Sequence, residues 1–304
     1  MLGEIFYWIF NMSIAATICG IPVLLIRLIK KLPRRVSVWL YLIPFIRMSF
    51  PVGISSKYGV MALISKFTAK TVTVYETDGS SVFTMMNHVM GAKSYFPITY
   101  KLKLLEKIFD TAALIWITVF FMALLIIIIS YFSAMKEIKE AQLFKDNIYL
   151  SGRITIPAVY GIIKPKIIFP YEYEEDCFEY ILMHERAHIK RMDNLVRIAA
   201  LFISCIHWFN PFSWLFLKSF YSDIELACDE AVLKKCSEAQ KKEYARALLS
   251  SIEKQAFFSA TFGGAKIKPR IENILSYRKL SAASAVAFFA VLLALAYAFL
   301  TNAS

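Results

Sequence analysis

The chain has 304 residues, of which 58% are hydrophobic and only 19% are charged, and its mean hydropathy is +0.53. These values exclude an ordinary soluble domain of this length and favour a membrane protein. The 35 basic and 23 acidic residues give a net charge of +12. Because no zinc-finger spacing or recognition helix accompanies this charge, we expect no direct nucleic-acid binding and assign the excess to contacts with anionic membrane lipids.

Four apolar segments predict transmembrane helices: Ile5 to Ile26, Val36 to Ile54, Thr111 to Phe132 and Ser281 to Leu300. All except the second run for about 20 residues without a charge, which is enough to cross roughly 30 Å of hydrocarbon. The second contains Arg47, Pro44 and Pro51, which a membrane helix tolerates where they face other helices. The predicted fold class is therefore mainly α, a polytopic membrane protein with four transmembrane helices.

The positive charges favour one orientation of these helices. The stretch "RLIKKLPRR" joins the first two spans, and short connections rich in lysine and arginine remain in the cytoplasm. The predicted division is a membrane region at 1–132 with an outer loop at 55–110, a cytoplasmic domain at 133–280, and a final span with a short outer tail at 281–304.

A metal-binding motif lies in the predicted cytoplasmic domain, in "ILMHERAHIKRMDN". On a helix, His184 and His188 lie on one face and can bind one ion, while Glu185 lies beside that ion without binding it. In this H-E-x-x-H arrangement the glutamate takes a proton from a metal-bound water. A chance match on an amphipathic helix is the alternative, but the pentapeptide is rare enough by composition to favour a zinc site.

A catalytic zinc site needs a third protein ligand, and "YSDIELACDEAVLKK" offers one. Glu225 and Asp229 are four residues apart on a predicted helix, so one can bind zinc while the other supports a histidine. Asp193 is a further supporting candidate. Alternatively, these acids form a solvated helix face, but the need for a third ligand favours Glu225.

The apolar segment 194–218 is long enough to be read as another span. If it crossed the membrane once, His184 and Glu225 would lie on opposite sides and could not share an ion. We therefore expect a membrane-associated hairpin that enters and returns, with Asn210 and Pro211 near its bend.

A second arrangement of the same segment stays open. It could lie along the membrane surface as amphipathic helices, with Trp208 and Trp214 at the level of the lipid headgroups. In either arrangement we expect His207 to be a hydrogen-bonded residue at the membrane interface and not a metal ligand.

Four motifs carry a resemblance to a known family: "PAVYGIIKPKIIFP", "HERAHIKRMDN", "HWFNPFSWLF" and "ELACDEAVL", in this order. The chain resembles the BlaR/MecR family of integral-membrane zinc metallopeptidases, the antirepressor signal transducers of bacterial beta-lactam resistance. The resemblance implies a gluzincin-like α+β domain in the cytoplasm. It also implies the residue roles: zinc on His184, His188 and Glu225, Glu185 as catalytic base, and Asp193 and Asp229 as supporting acids.

In that family, signalling leads to autocleavage and to proteolysis of a cytoplasmic winged-helix repressor, which derepresses resistance genes. The full-length transducers continue after the last span into an external penicillin-binding sensor domain, whereas this chain ends at "LTNAS". Direct acylation by a beta-lactam is therefore not expected here. The stimulus would instead reach the outer loop, the membrane or a separate sensor protein, and a homodimer stays open.

The stretch "NIYLSGRITIPAVYGIIKPKIIFP", residues 147–170, predicts two or three short strands with turns at Ser151-Gly152 and Lys164-Pro165. An edge of such a sheet could hold an extended peptide substrate. The alternative is a small sheet that only covers the zinc helix, and both can be true.

The linker "FFSATFGGAKIKPRIENI", residues 257–274, is predicted to be locally non-helical because it contains two adjacent glycines and a proline. A protease can cleave only a segment that extends through its site. Together with the resemblance, this predicts autocleavage near Ser259, Ala260, Thr261, Phe262 and Gly263.

The sequence is thus interpreted as a multi-pass zinc metalloendopeptidase of the bacterial cell membrane, which cleaves a cytoplasmic regulator. Two alternatives stay open: a housekeeping membrane protease, and a non-enzymatic transducer with a structural zinc site. The position of Glu185 favours catalysis, since a closed structural site would normally supply a fourth cysteine or histidine.

Overall fold

The computed structural model describes residues 2–29, 32–50, 56–60, 62, 103–171, 175–256, 267–277 and 282–301. Its helices are α1 Leu2–Arg27, α2 Arg34–Leu40, α3 Leu42–Ser49, α4 Lys103–Glu137, α5 Glu175–Lys190, α6 Asp193–Ile206, α7 Pro211–Leu233, α8 Glu238–Ala256, α9 Ile267–Ser276 and α10 Ala282–Leu300. Its strands are β1 Gln142–Lys145, β2 Ile148–Ser151, β3 Ala158–Tyr160 and β4 Lys166–Pro170. The predicted mainly helical fold is confirmed. Most of the predicted outer loop lies outside the described residues.

Two helices are long and apolar enough to cross a membrane, over Ile5–Arg27 in α1 and Ile108–Lys136 in α4. Only about a tenth of the apolar stretch of α4 is buried inside the protein. The exposed remainder includes Ile115 and Phe121, a surface that suits lipid better than water. A shorter apolar helix covers Val286–Leu300. Four transmembrane helices are thus not established among the described residues.

The predicted second span is not one continuous helix. It is divided into α2 and α3, with Tyr41 between them, and α3 ends at Ser49. Pro44 explains the break, because it has no N–H to donate to the carbonyl of Leu40 and its ring crowds that carbonyl. The resulting pair of short helices packs against α1, α7 and α10.

The α6–α7 pair forms the hairpin expected for residues 194–218. The bend follows from local chemistry: Asn210 accepts a hydrogen bond from the backbone N–H of Phe212 at 2.9 Å, and Pro211 occupies the first helical position. An asparagine cap followed by proline is a typical helix start. The two arms pack against each other and lead back to the same end of the molecule.

The bend of the hairpin lies against the middle of α1. Ser13 of α1 contacts both His207, at 3.1 Å, and the side-chain amide of Asn210, at 2.9 Å. On the other side, the indole N–H of Trp116 in α4 donates to the carbonyl of Ile206 at 2.7 Å. The bend of the hairpin therefore lies between α1 and α4.

One close approach lets α7 pack on α1. A Cβ atom added at Gly20 would lie 2.1 Å from Cζ of Phe216, which is fully buried. Small residues permit this kind of helix contact in membrane proteins. Gly20 therefore sets how near the second arm of the hairpin comes to α1.

The sheet has the strand order β1-β2-β4-β3, with β2 and β4 parallel and the outer pairs antiparallel. Three of its strands, β2, β3 and β4, lie within residues 147–170, where two or three were predicted, and β1 precedes that stretch. Ile167 and Phe169 of β4 pack against Ile181 and Leu182 of α5. The sheet therefore covers the helix that carries the H-E-x-x-H motif.

Candidate metal centre

Helix α5 directs the two motif histidines at one point. His184 and His188 lie one helical turn apart, both are buried, and their Nε2 atoms are 3.1 Å apart. Their rings are nearly perpendicular, with an interplanar angle of 85°. Two imidazole nitrogens that meet in this way can share one metal ion.

Glu225 on α7 completes a triangle of donor atoms. Its carboxylate oxygens lie 3.5 Å from Nε2 of His184 and 3.7 Å from Nε2 of His188. Two ligand atoms bound at about 2.0–2.1 Å to a tetrahedral zinc ion lie roughly 3.3 Å apart. The spacing and the nitrogen and oxygen donors therefore fit zinc.

The opposite nitrogens of both histidines face carboxylates. His188 Nδ1 donates to Asp193 at 2.7 Å, and His184 Nδ1 lies 2.9 Å from the hydroxyl of Tyr244. That hydroxyl donates to Asp229 at 2.6 Å, so its oxygen accepts from His184. These partners orient both rings so that Nε2 faces the shared point, where Nη2 of Arg270 lies 3.3 Å from Nε2 of His184. With a metal bound, they would hold the proton of each ring on Nδ1.

Two arginines balance the acids of this centre. Arg270 on α9 donates to both oxygens of Asp229, at 2.9 and 2.7 Å, and its Nη1 lies 3.4 Å from Glu225. Arg197 on α6 forms an ion pair with Glu225 and joins the two arms of the hairpin at their open end. Sequence reasoning missed both arginines, because nothing distinguishes them from the other 33 basic residues of the chain.

Neighbouring charges decide the ionisation of the buried acids. Burial alone would raise the pKa of Glu225, but His188, His184 and the two arginines hold it well below its usual range. Burial likewise opposes ionisation of Asp229, and its ion pair with Arg270 is the main reason that its pKa is lowered. Both carboxylates are therefore charged at neutral pH.

Glu185 differs from these acids. It is buried beside the two histidines, and burial raises its pKa despite the opposing charges of His184 and His188. A carboxyl group with a raised pKa can both accept and return a proton near neutral pH. Its environment suits a general base better than a metal ligand.

A model of the family described as BlaR1 peptidase M56 matches residues 7–274, which is most of the chain. The chain belongs to the BlaR1 peptidase family. The resemblance to BlaR/MecR proteins is thereby confirmed, and the family is one of peptidases by its description.

Relatives of this BlaR1-family protein are regulatory and resistance proteins by name. "Regulatory protein BlaR1" of Bacillus licheniformis is 30% identical over 172 residues, which cover 51% of this chain and 28% of the relative. "Methicillin resistance mecR1 protein" of Staphylococcus aureus strain Mu50 is 29% identical over 116 residues, 36% of this chain and 20% of the relative. The chain spans about a quarter of the length of the curated relatives it matches.

The structure brings together all six residues predicted for the centre of this BlaR1-family chain: His184, Glu185, His188, Asp193, Glu225 and Asp229. Their roles as ligands, base and supporting acids stay predictions. The predicted cleavage residues Ser259, Ala260, Thr261, Phe262 and Gly263 lie outside the described residues.

A cysteine lies unexpectedly close to this centre. The thiol of Cys228 is 3.3 Å from His188 Nδ1 and 3.4 Å from Asp193. Burial, reinforced by the charge of Asp193, raises the pKa of this thiol above its ordinary value. Cys228 therefore remains protonated and donates to the same oxygen of Asp193 that faces His188, which helps to hold that carboxylate in place.

Proposed function

We propose that this protein is a membrane-embedded zinc endopeptidase of BlaR/MecR type, which signals through proteolysis. The observation that carries the proposal is the triangle of His184, His188 and Glu225 beside the buried Glu185. Membership in a peptidase family and the regulatory names of the relatives support it. The proposed location is the bacterial cell membrane, with several spans and the peptidase domain in the cytoplasm.

The residues divide the chemistry among them. Zinc held by His184, His188 and Glu225 would lower the pKa of the attacking water and polarise the scissile carbonyl. Glu185 would accept the proton of that water and return it to the leaving amine. Asp193 and Asp229 would keep the two imidazole rings oriented.

The proposed substrates are a cytoplasmic winged-helix repressor and the chain itself. Cleavage of the repressor would derepress genes of beta-lactam resistance or a related response, and autocleavage would fall near residues 259–263. The sheet offers one place for a substrate strand at the outer edge of β3. Part of that edge is already used, since Asn194 beside Asp193 donates to the carbonyl of Val159 at 3.0 Å.

Glu185→Gln tests catalysis. The variant should keep zinc, because every ligand remains, and should lose about 10²- to 10⁴-fold in cleavage rate, as expected when a general base is removed. Purified wild-type and variant proteins would be compared for metal content, for cleavage of an unfolded model protein, and by intact mass for a fragment ending between residues 257 and 270.

Equal cleavage by the two proteins would contradict the mechanism and point to a contaminating protease. Zinc binding without any cleavage by the wild-type protein would favour the non-enzymatic transducer. The housekeeping alternative predicts cleavage of unfolded proteins generally, with no repressor as a preferred substrate.

Reporter fusions test the proposed orientation. A reporter fused after Lys139 should indicate a cytoplasmic position, and one fused after Ser304 an external position, because an odd number of membrane crossings would separate the two points. An external signal from the Lys139 fusion would invert the topology and exclude a cytoplasmic substrate.

A further inference from the structure

Helix α7 carries buried acids on two opposite faces. Glu225 and Asp229 are four residues apart and face the metal centre, whereas Asp223 and Glu230 are seven residues apart and lie on the other side of the helix. Asp223 is fully buried and Glu230 is 6% exposed. Buried acids on both faces of a helix need hydrogen-bond donors on both, and those of the second face come from the end of α1 and the start of α2.

Two arginines of that connection bind the second face. Arg27, the last residue of α1, donates from Nε to both carboxylate oxygens of Asp223, at 2.9 and 3.0 Å. The backbone N–H of Arg34, the first residue of α2, donates to Glu230 at 2.9 Å. These contacts join the end of one helix and the start of the next to two positions on α7 that lie about two turns apart.

The two contact points are also tied to each other. Nη1 of Arg34 donates to the backbone carbonyl of Arg27 at 3.1 Å, and Nη2 of Arg27 donates to the hydroxyl of Ser222 at 3.3 Å. The two-point clamp, defined as Arg27 with Asp223 and Arg34 with Glu230, therefore behaves as one unit. Its position is set by α1, a long helix that itself packs against α7.

The clamp restricts a slip of α7 along its axis, a movement that would damage the metal centre. A helix rises 1.5 Å per residue, so a slip of α7 by one residue would move Glu225 by about 1.5 Å and turn it by about 100°. Metal sites require ligand distances within about 0.2 Å of their ideal values. Asp223 and Glu230 are held at two separate turns, which opposes both the translation and the rotation.

We propose that Arg27 and Arg34 are positioning residues for the metal centre, because they fix α7 and thereby hold Glu225 within reach of His184 and His188. The inference rests on the proposed function, which assigns zinc to these residues. It gives part of the basic stretch "RLIKKLPRR" an internal role in addition to its expected attraction to lipid headgroups.

The test measures zinc affinity, and not only activity, on the full-length protein in detergent. Arg27→Met should weaken zinc binding about tenfold, the lower end of what loss of an orienting contact costs. Competition with a chromogenic chelator gives the affinity, and the visible absorption bands of the Co²⁺-loaded protein report the ligand geometry. Arg27→Lys, which keeps the charge and one hydrogen bond, should restore most of the affinity.

A second variant separates positioning from a simple loss of stability. Arg27→Met combined with Asp223→Asn removes both charges, so no buried charge is left unpaired. The double variant should melt closer to the wild-type temperature than Arg27→Met alone, yet still bind zinc more weakly. Arg153→Met is the matched control, since it breaks the exposed ion pair with Glu140 at 2.6 Å and should change neither measurement.

The outcomes separate a failure of the clamp from a failure of the proposed function. Wild-type zinc affinity and Co²⁺ spectrum in both Arg27→Met and the double variant, with only a lower melting temperature, would overturn the clamp and leave the proposed function intact. Failure of the wild-type protein itself to bind zinc would overturn the proposed function and this inference with it.

Discussion

The open end of the α6–α7 hairpin faces two buried histidines of α5, and its bend contains a third, but their surroundings make these histidines chemically different. At the open end, His184 and His188 each turn one nitrogen to a protein partner and the other toward a shared point that is also lined by Glu225 and by Arg270, whose Nη2 lies 3.3 Å from Nε2 of His184. At the bend, His207 has both nitrogens engaged, with Ser13 at 3.1 Å and with the carbonyl of Met48 at 2.9 Å.

The difference shows that burial and residue type do not identify a metal ligand. A histidine becomes a ligand when an acceptor holds the proton on one nitrogen and the other lone pair is left facing similar donors. His207 instead joins α1, α3 and the hairpin through hydrogen bonds. The expectation that His207 is hydrogen bonded is confirmed, and the residue lies directly after the end of α6, against the middle of α1.

The largest effect is expected at the third corner of the triangle. Glu225→Ala would remove a proposed ligand and leave Arg197 without its carboxylate partner, so zinc occupancy of the purified protein should fall to a small fraction of the wild-type value. Metal analysis after dialysis would measure it. Unchanged zinc content would show that the third ligand is another residue. The proposed difference between the metal centre and the bend would then lose its main support.

An intermediate effect is expected at Asp193, which would act on the metal only through its hydrogen bond to His188. Asp193→Asn keeps the shape of the side chain but weakens its hold on His188 Nδ1, so zinc affinity should fall 10- to 100-fold, as usual for partners of metal-binding histidines. Competition with a chelator would give the affinity. Glu140→Gln, at an exposed carboxylate, is the control, and an equal loss in both variants would show that the effect is not specific to Asp193.

The smallest effect on zinc is expected at the bend. His207→Leu should leave zinc affinity unchanged and reduce the free energy of unfolding by about 1–3 kcal/mol, because it leaves buried polar partners unsatisfied. His188→Leu, which also removes a buried hydrogen-bonding ring, should in contrast lose zinc. Thermal unfolding in detergent would measure the stability of the two variants, and metal analysis would measure their zinc content. Zinc loss in the His207 variant would contradict the proposed difference between the two regions.

Residue spacing predicted the part of the centre that is local in sequence. His184 and His188 are one turn apart on α5, Asp193 follows within five residues, and Glu225 and Asp229 are one turn apart on α7. The hairpin followed from geometry as well, because two ligand groups separated by an apolar segment can share an ion only if that segment returns.

Contacts that depend on tertiary packing could not be predicted. Arg270 lies 41 residues beyond Asp229 and Tyr244 lies 60 residues beyond His184, and no local pattern indicates such pairs. The second predicted span is divided at Tyr41 by Pro44, a break that its apolar composition did not indicate.

The hairpin also affects how the topology of such chains should be counted. Both of its arms end at the metal centre, so residues 194–218 add apolar length without changing the parity of membrane crossings. A hydropathy plot that scores this segment as one crossing adds one to the number of membrane crossings, so an odd number becomes even and an even number becomes odd. Every later residue, including Glu225, would then be assigned to the wrong side of the membrane, away from the histidines beside which it lies.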